Sequence, residues 1–419
     1  MKNTAIKTQI TQAFSYSVKW LLLSMVIGML TGSVSAFFLT SLNWVTQWRE
    51  SHVCIIALLP LGGLVIGLMY HYFGSSVVKG NNLLLEELHT PKKIIPLKMA
   101  PLVLLGTLIT HFFGGSAGRE GTAVQMGGAI ADQFTHFFKL NDNDRKIIII
   151  MGISAGFASV FGTPLAGALF ALEVMMIRRR YNALLPALLV AFVAHYTCLA
   201  WQVGHTHYSV PVIPEITIKI IMWTAASGVL FGLAAMVFSK VMHFFSNLFK
   251  AISYAPLRPF IGGVVIALLV WASGTTKYIG LGVPTITDAF TVSQPAYAFM
   301  IKLLLTAFTL GAGFKGGEVT PLFFIGATLG NALFLLFPLP MGLLAAMGFV
   351  AVFAGATNTP ITCIVMGIEL FGIDTGIYLG IACFIAYLFS GHSGIYTSQI
   401  QGGIKQKLYS KLFKKLSTR

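Results

Sequence analysis

Gly114-Gly-Ser-Ala-Gly-Arg119-Glu120-Gly-Thr-Ala-Val-Gln-Met-Gly-Gly128 is the stretch on which the reading of this chain turns. Small residues surround a single Arg-Glu pair. Residues 94–113, just before it, are apolar with Lys98 as their only Lys, Arg, Asp or Glu, and a longer apolar run follows from Ile147. An ionisable pair in such surroundings is costly and by default marks an ion or substrate path. The glycines allow backbone to approach a ligand and leave N–H groups free to point at it. A Gly-rich break followed by an apolar helix presents a helix N-terminus, with its unpaired N–H groups and positive dipole end, to an anion.

Composition sets the frame. Of 419 residues, 56% are hydrophobic and 10% charged, whereas a soluble domain carries about 25% charged residues. Residues 147–172, 220–239, 319–368 and 375–404 contain no Asp, Glu, Lys or Arg, and each is long enough for the roughly 20 residues of a membrane span. The fold class expected is an all-α polytopic membrane protein, since a β-barrel would show short alternating segments. The net charge of +15 does not imply a nucleic-acid partner. Basic residues cluster at the ends of apolar runs and in the tail, as the positive-inside rule requires. Arg178, Arg179 and Arg180 mark a cytoplasmic turn, and 405–419 is read as a basic cytoplasmic tail. Residues 1–17 form a polar cytoplasmic segment, too long and polar for a signal-peptide start. The four cysteines show neither paired spacing nor a metal pattern, so they are read as small buried hydrophobes. No metal site and no cofactor are expected.

Apolar periodicity places helices at 18–42, 53–73, 94–113, 184–201, 216–238, 260–273, 297–314, 322–344, 347–356, 361–371 and 377–390. Residues 147–177 are too long for one span and break at Gly162-Thr163-Pro164. Gly80-Asn81-Asn82 opens a further short helix, with Asn as its cap. Broken helices survive in a membrane only where they are buried in protein or line a cavity.

The chain also repeats itself. Thr163-Pro164 precedes Glu173 as Thr359-Pro360 precedes Glu369, with the same spacing. Arg119-Glu120-Gly121-Thr122 is echoed by Gly317-Glu318-Val319-Thr320-Pro321. Glu120 to Glu173 is 53 residues and Glu318 to Glu369 is 51. Paired interruptions at corresponding positions are the signature of a transporter built from two repeats, with its site at their interface. The transport domain, 18–404, is divided into repeats at about 18–202 and 216–404.

The acids sort by setting. Glu50, Glu86, Glu87, Asp142, Asp144, Glu215, Asp288 and Asp374 lie in or beside polar connectors and are read as solvated. Asp132 is expected to cap or pair near an interface. Glu173 and Glu369 end apolar runs, which suits an interfacial structural role. Glu120 and Glu318 remain, each in a Gly-rich break deep in apolar sequence. A carboxyl there that is neutral or charged near pH 7 can couple anion movement to protons.

Gly118-Arg119-Glu120-Gly121-Thr122 resembles the Gly-Arg-Glu-Gly-Pro motif of the CLC family of chloride channels and proton-coupled antiporters. Gly316-Gly317-Glu318-Val319-Thr320-Pro321 resembles the family's second Gly-rich anion loop. Residues 156–173, around Gly-Thr-Pro-Leu-Ala-Gly, resemble the helix pair after its gating glutamate. The departures are specific. The first anion loop, Gly-Ser-Gly-Ile-Pro in the family, reads Gly80-Asn81-Asn82-Leu83-Leu84 here. Thr122, Glu318 and Thr320 replace Pro and apolar residues, and the internal proton glutamate of chloride/proton antiporters falls at Val174. Together these resemble the family's fluoride-exporting branch.

The resemblance implies a CLC-type inverted-repeat fold with broken and tilted helices, and a homodimer in a bacterial-type inner membrane with its C-terminus cytoplasmic. It implies fluoride and protons as the transported partners. Glu120 matches the gating glutamate, Asn81 the selectivity position and Tyr396 the inner-gate tyrosine. Gly80, Arg119, Gly121, Val319, Thr320 and Phe324 are the remaining candidate anion-binding residues. Glu318 is expected both at the anion and, with Glu120, in proton handling. Fluoride loses a large hydration energy, so short, focused donors such as the Asn81 amide and the Thr320 hydroxyl are needed. Either Asn81 or Asn82 is the asparagine that faces the ion. Two alternatives stand beside this reading. One is a chloride/proton antiporter or passive anion channel of the same fold. The other is an intramembrane enzyme using Ser116 or Ser154, each in a Gly-x-Ser-x-Gly match that lacks the strand-to-helix context such a nucleophile needs.

Overall fold

The computed structural model describes residues 2–174, 181–392, 394–400, 405 and 409, with side chains from 17 onward except that of 181. Arg178–Arg180 and most of the basic tail lie outside the described residues. The described chain is helical, and its only β feature is a single bridge between Gly118 and Gly317.

The first half runs α1 (Lys2–Ser51), α2 (Leu59–Tyr72), α3 (Asn81–His89), α4 (Met99–Phe112), α5 (Glu120–Phe137), α6 (Asp142–Phe161), α7 (Pro164–Val174) and α8 (Tyr181–Ala200). The second runs α9 (Ile218–Lys250), α10 (Leu257–Ser273), α11 (Val283–Asp288), α12 (Ala298–Gly311), α13 (Val319–Leu333), α14 (Met341–Thr357), α15 (Pro360–Phe371) and α16 (Gly376–Phe389). Four helical stretches are long and apolar enough to cross a bilayer, at 17–51, 53–72, 182–200 and 218–250. On α1 the residues Leu21, Leu22, Met25, Leu30 and Phe37 are exposed, an outward apolar face suited to lipid. The other apolar helices are shorter, which is what brings helix ends into the protein interior.

The two Thr-Pro breaks are built alike. α6 ends at Gly162 and α14 at Asn358, both left-handed (φ 76° and 57°). A proline then opens the next helix, where its missing N–H costs nothing. Glycine also sets the helix crossings in both halves. A methyl group on Gly127 of α5 would lie 2.2 Å from the Gly152 carbonyl of α6, and one on Gly326 of α13 would lie 2.0 Å from the Gly348 carbonyl of α14.

Several expectations are corrected. Helix α5 begins directly at Glu120 and consumes most of the Gly-rich stretch, because its glycines serve close packing, Gly127 on Gly152 of α6 and Gly128 on Leu84 of α3. The expected helices 322–344 and 347–356 divide instead at 334–340, where Pro338 and Pro340 interrupt the ladder. Helix α9 extends to Lys250, and the short α11 was not foreseen. Cys54 is exposed, while Cys198, Cys363 and Cys383 are buried. Lys405, assigned to the solvated tail, is fully buried, and its Nζ donates to Asn358 Oδ1 and Ser390 Oγ, both at 2.7 Å.

Glu87, read as solvated, is also buried. It accepts from Arg145 Nη1 at 3.2 Å and from the Lys92 amide at 2.8 Å. The same guanidinium donates to Asp132, from Nε at 2.9 Å and from Nη2 at 2.8 Å. Asp132 Oδ2 further accepts the Ile95 amide at 2.8 Å. Asp132 thus pairs as expected. The cluster ties α3, α5 and α6 together one side chain at a time.

Candidate anion site

Two loops meet backbone to backbone. The Gly118 amide donates to the Gly317 carbonyl at 2.6 Å, and the Gly317 amide returns the bond at 2.8 Å. α5 and α13 start immediately after these residues, so their N-termini open onto one place. The approach tolerates no side chain: a methyl on Gly317 would meet the Gly121 nitrogen at 2.6 Å. α3 supplies a third N-terminus. Gly80 turns with φ 57°, a conformation that favours glycine, and Asn81 follows. Asn81 Nδ2 lies 3.0 Å from where a Gly121 methyl would stand, and Glu318 Oε2 lies 3.6 Å from the same point.

Glu120 sits at this convergence and is 1% exposed. Its Oε2 accepts the Thr320 amide at 3.1 Å and the Arg119 amide at 3.2 Å. Its Oε1 accepts the Thr320 hydroxyl. Arg119 Nε stands 3.5 Å from Oε1 and has no hydrogen-bond partner of its own. A carboxylate held by backbone amides at two helix N-termini occupies the kind of place a free anion would take.

The remaining expected residues fall around it. Val319 and Thr320 open α13 and are buried. Glu318 is the N-cap residue of α13, and its Oε2 is buried without a partner. The two asparagines part company. Asn81 aims its amide at Gly121 while its Oδ1 is unpaired. Asn82 Oδ1 instead accepts the Ser398 amide at 3.0 Å, and Ser398 Oγ donates to Glu86 at 3.1 Å. Those contacts hold the segment carrying Tyr396 against α3. Tyr396 is buried and lines two cavities together with Asn81. Phe324 is buried too, but its ring meets the Lys302 ammonium at 5.2 Å and the Tyr278 ring at 6.3 Å, neither of them a member of the Glu120 cluster. Phe323 stacks on Phe349 at 3.9 Å within the core.

A cavity of about 880 Å³ is lined by Arg119 with Arg49, Lys277, Gln202 and Thr285. A second, of about 140 Å³, is lined by Lys79, Asn81, Gln125, Lys315, Glu318 and Tyr396 among others. No residue lines both. Glu120 is bonded to Arg119 of the first and, through Thr320, to the loop that carries Glu318 of the second. Val174 lines only a small apolar space of about 20 Å³ beside Leu84, Val124 and Phe170.

Sequence reasoning missed Gln125, Lys315 and the Ser398 tether. Lys315 had a readable signal, a lone charge between an apolar run and a Gly-rich loop. The tether joins residues more than 300 positions apart and had none. Glu173 and Glu369 prove to be helix caps. Glu173 accepts the Ile361 and Thr362 amides of α15 at 2.9 and 2.7 Å, and Glu369 accepts the Leu165 and Ala166 amides of α7 at 3.0 and 2.9 Å. Ser116 Oγ pairs with Thr306 Oγ1 at 2.8 Å, and Ser154 Oγ has no partner, so neither serine is joined to a base.

Comparison with known proteins finds relatives along nearly the whole chain. A chloride/fluoride channel protein of Pseudomonas syringae pv. tomato is 53% identical over 398 residues, covering 93% of this chain and 88% of its own length. An H(+)/Cl(−) exchange transporter, ClcA, of Vibrio parahaemolyticus is 26% identical, covering 94% of this chain and 88% of its own. A crystal structure of a CLC-type fluoride/proton antiporter matches with TM-score 0.89 at 37% identity, covering 92% of this chain and 98% of that one. A slow cyanobacterial Cl−/H+ antiporter at 21% identity shares the fold, with TM-score 0.81 over 94% of this chain and 98% of that one. The family profile described as voltage gated chloride channel matches residues 62–391. With a site built where three helix starts meet and relatives along nearly its whole length, the chain belongs to the CLC family of the voltage gated chloride channels.

Proposed function

We infer that this protein moves fluoride out of the cell in exchange for protons. The observation that carries the reading is the seat of Glu120, whose carboxylate takes the amides of Arg119 and Thr320 and the Thr320 hydroxyl. Those donors suit a small anion equally well. Charged, the carboxylate fills the seat itself. Protonated, it loses its claim on the donors, swings away and leaves them to fluoride. One group thereby binds a proton and an anion at different moments, which is the requirement for exchange. Asn81 supplies a further N–H donor at Gly121. Glu318, with an unpaired oxygen beside it, hands the proton on in place of an acid at position 174. Tyr396 and its Asn82 tether close the path on the side of the second cavity.

The residue assignments, the repeats at about 18–202 and 216–404, the homodimer, the bacterial inner membrane and the cytoplasmic C-terminus all belong to this proposal. The names of the relatives at 53% and 37% identity support fluoride as the ion. They favour transport over the enzyme alternative. The word channel in one of those names keeps passive flux as the second reading. Fluoride efflux from proteoliposomes, with proton flux recorded alongside, separates the two. Wild type is expected to move protons against fluoride, and Glu120→Gln to abolish the proton component. Proton-linked fluoride movement that survives Glu120→Gln would falsify the mechanism. Fluoride flux with no proton movement in wild type would establish the channel.

A further inference from the structure

Lys405 is fully buried although it belongs to a basic C-terminal stretch. Its ammonium sits at the C-terminal ends of two helices. It donates to Asn358, the C-cap residue of α14, and to Ser390, the C-cap residue of α16, both at 2.7 Å. The carbonyl end of a helix favours a cation, and the Tyr387 ring offers its face at 5.1 Å. Further along the same stretch, the Tyr409 hydroxyl donates to the Leu388 carbonyl at 3.0 Å. The transport scheme above gives these contacts no part.

Asn358 carries the contact onward. Its Nδ2 donates to Gln399 Oε1 at 3.1 Å, and Gln399 Nε2 donates to the Thr357 and Val174 carbonyls at 3.0 and 3.1 Å. A methyl on Gly394 would stand 2.7 Å from both Asn358 Nδ2 and the Ala356 carbonyl oxygen, and the Ile395 amide donates to that carbonyl at 2.9 Å. Gly394 and Gln399 bracket Tyr396, so Lys405 reaches both ends of the segment through one asparagine. The corresponding turn after α6 is Gly162, which takes its left-handed φ without strain. At 358 the same turn (φ 57°) carries a side chain instead, and both its oxygen and its nitrogen are bonded. A glycine would make the turn but not the link.

We propose that Lys405 is a positioning residue for Tyr396: through Asn358 and Gln399 the C-terminal stretch latches residues 394–399 in place. The Asn82–Ser398 bond holds the same segment from α3, and Lys405 holds it from α14 and α16. The latch sets how tightly the path is closed on the side of the second cavity. That consequence rests on the fluoride/proton reading, whereas the latch itself stands on the chain of contacts.

Hydrogen–deuterium exchange on the purified full-length protein reads the latch, for wild type, Lys405→Met and Lys405→Arg. Lys405→Met is expected to speed amide exchange in 394–400 about tenfold, the weight of one hydrogen bond to a charged group, with 275–282 unchanged. Lys405→Arg is expected to stay near wild type. In proteoliposomes, Lys405→Met is expected to raise the fluoride moved per proton toward the value of Tyr396→Ala. Adding Lys405→Met to Tyr396→Ala is expected to change that ratio no further, because the lysine acts through the tyrosine. Unchanged exchange in 394–400 overturns the latch. A ratio unmoved by Lys405→Met, or additive effects in the double variant, overturns its action through Tyr396. If the Met variant does not stay monodisperse, Asn358→Gly, which keeps the left-handed turn and removes the link, is judged by the same criteria. A wild type that moves fluoride without protons removes the exchange reading instead, and the latch is then judged by amide exchange and by passive fluoride flux in the same variants.

Discussion

Thr320 grips Glu120 twice, through its backbone amide at 3.1 Å to one carboxylate oxygen and through its hydroxyl to the other. The two residues stand 200 positions apart and at the starts of different helices. A carboxylate from the first half of the chain is thus held by a residue of the second half.

The hydroxyl contact can be removed alone. A hydrogen bond to a charged group contributes about 1.5–3 kcal/mol, so Thr320→Val should change proton-coupled fluoride turnover by about tenfold or more. Thr320→Ser, which keeps the hydroxyl, should stay within a few fold of wild type. Efflux rates for the two variants provide the check, and equal rates in Val and Ser variants would show that the hydroxyl carries no weight.

The two asparagines should fail in different ways. Asn81 aims its amide at Gly121, while Asn82 accepts the Ser398 amide at 3.0 Å. Asn81→Ala is expected to lower the preference for fluoride over chloride about tenfold, by removing a donor from the ion. Asn82→Ala is expected to keep the preference and loosen residues 394–400, seen as faster backbone amide exchange there. Selectivity lost in Asn82→Ala but not in Asn81→Ala would reverse the assignment.

The buried Glu87–Arg145–Asp132 cluster predicts a stability defect. Arg145→Met leaves two buried carboxylates without their cation, and breaking such a set costs about 3–5 kcal/mol. The thermal unfolding midpoint in detergent should drop clearly, and Asp132→Asn/Arg145→Met should recover part of the loss. A midpoint unmoved by Arg145→Met would mean the cluster contributes no net stability.

What was readable in the sequence follows from what is local. The membrane class is written in charge-free runs. The helix start at Pro164 is written in Gly and Pro, whose backbone demands do not depend on distant contacts. The correspondence of Thr163-Pro164 with Thr359-Pro360 was visible because spacing survives substitution. Glu87 was misread because burial is decided by Arg145, which lies outside its own segment. Helix α5 was taken for a loop because glycine disfavours a lone helix but suits one pressed against Gly152. The partner of Asn82 lay beyond any local pattern.

The crossed carboxylates of Glu173 and Glu369 bear on how the molecule is made. Glu369 satisfies the opening amides of α7, and Glu173 those of α15. While the chain is being synthesised, α7 enters the bilayer about two hundred residues before Glu369 exists. Its first turn must wait without the carboxylate that takes its N–H groups. Only when α15 arrives do both debts cancel, in a single event. The closing of the protein around its path is therefore a late, all-or-nothing step of biogenesis, and a half chain left alone has no means to complete itself.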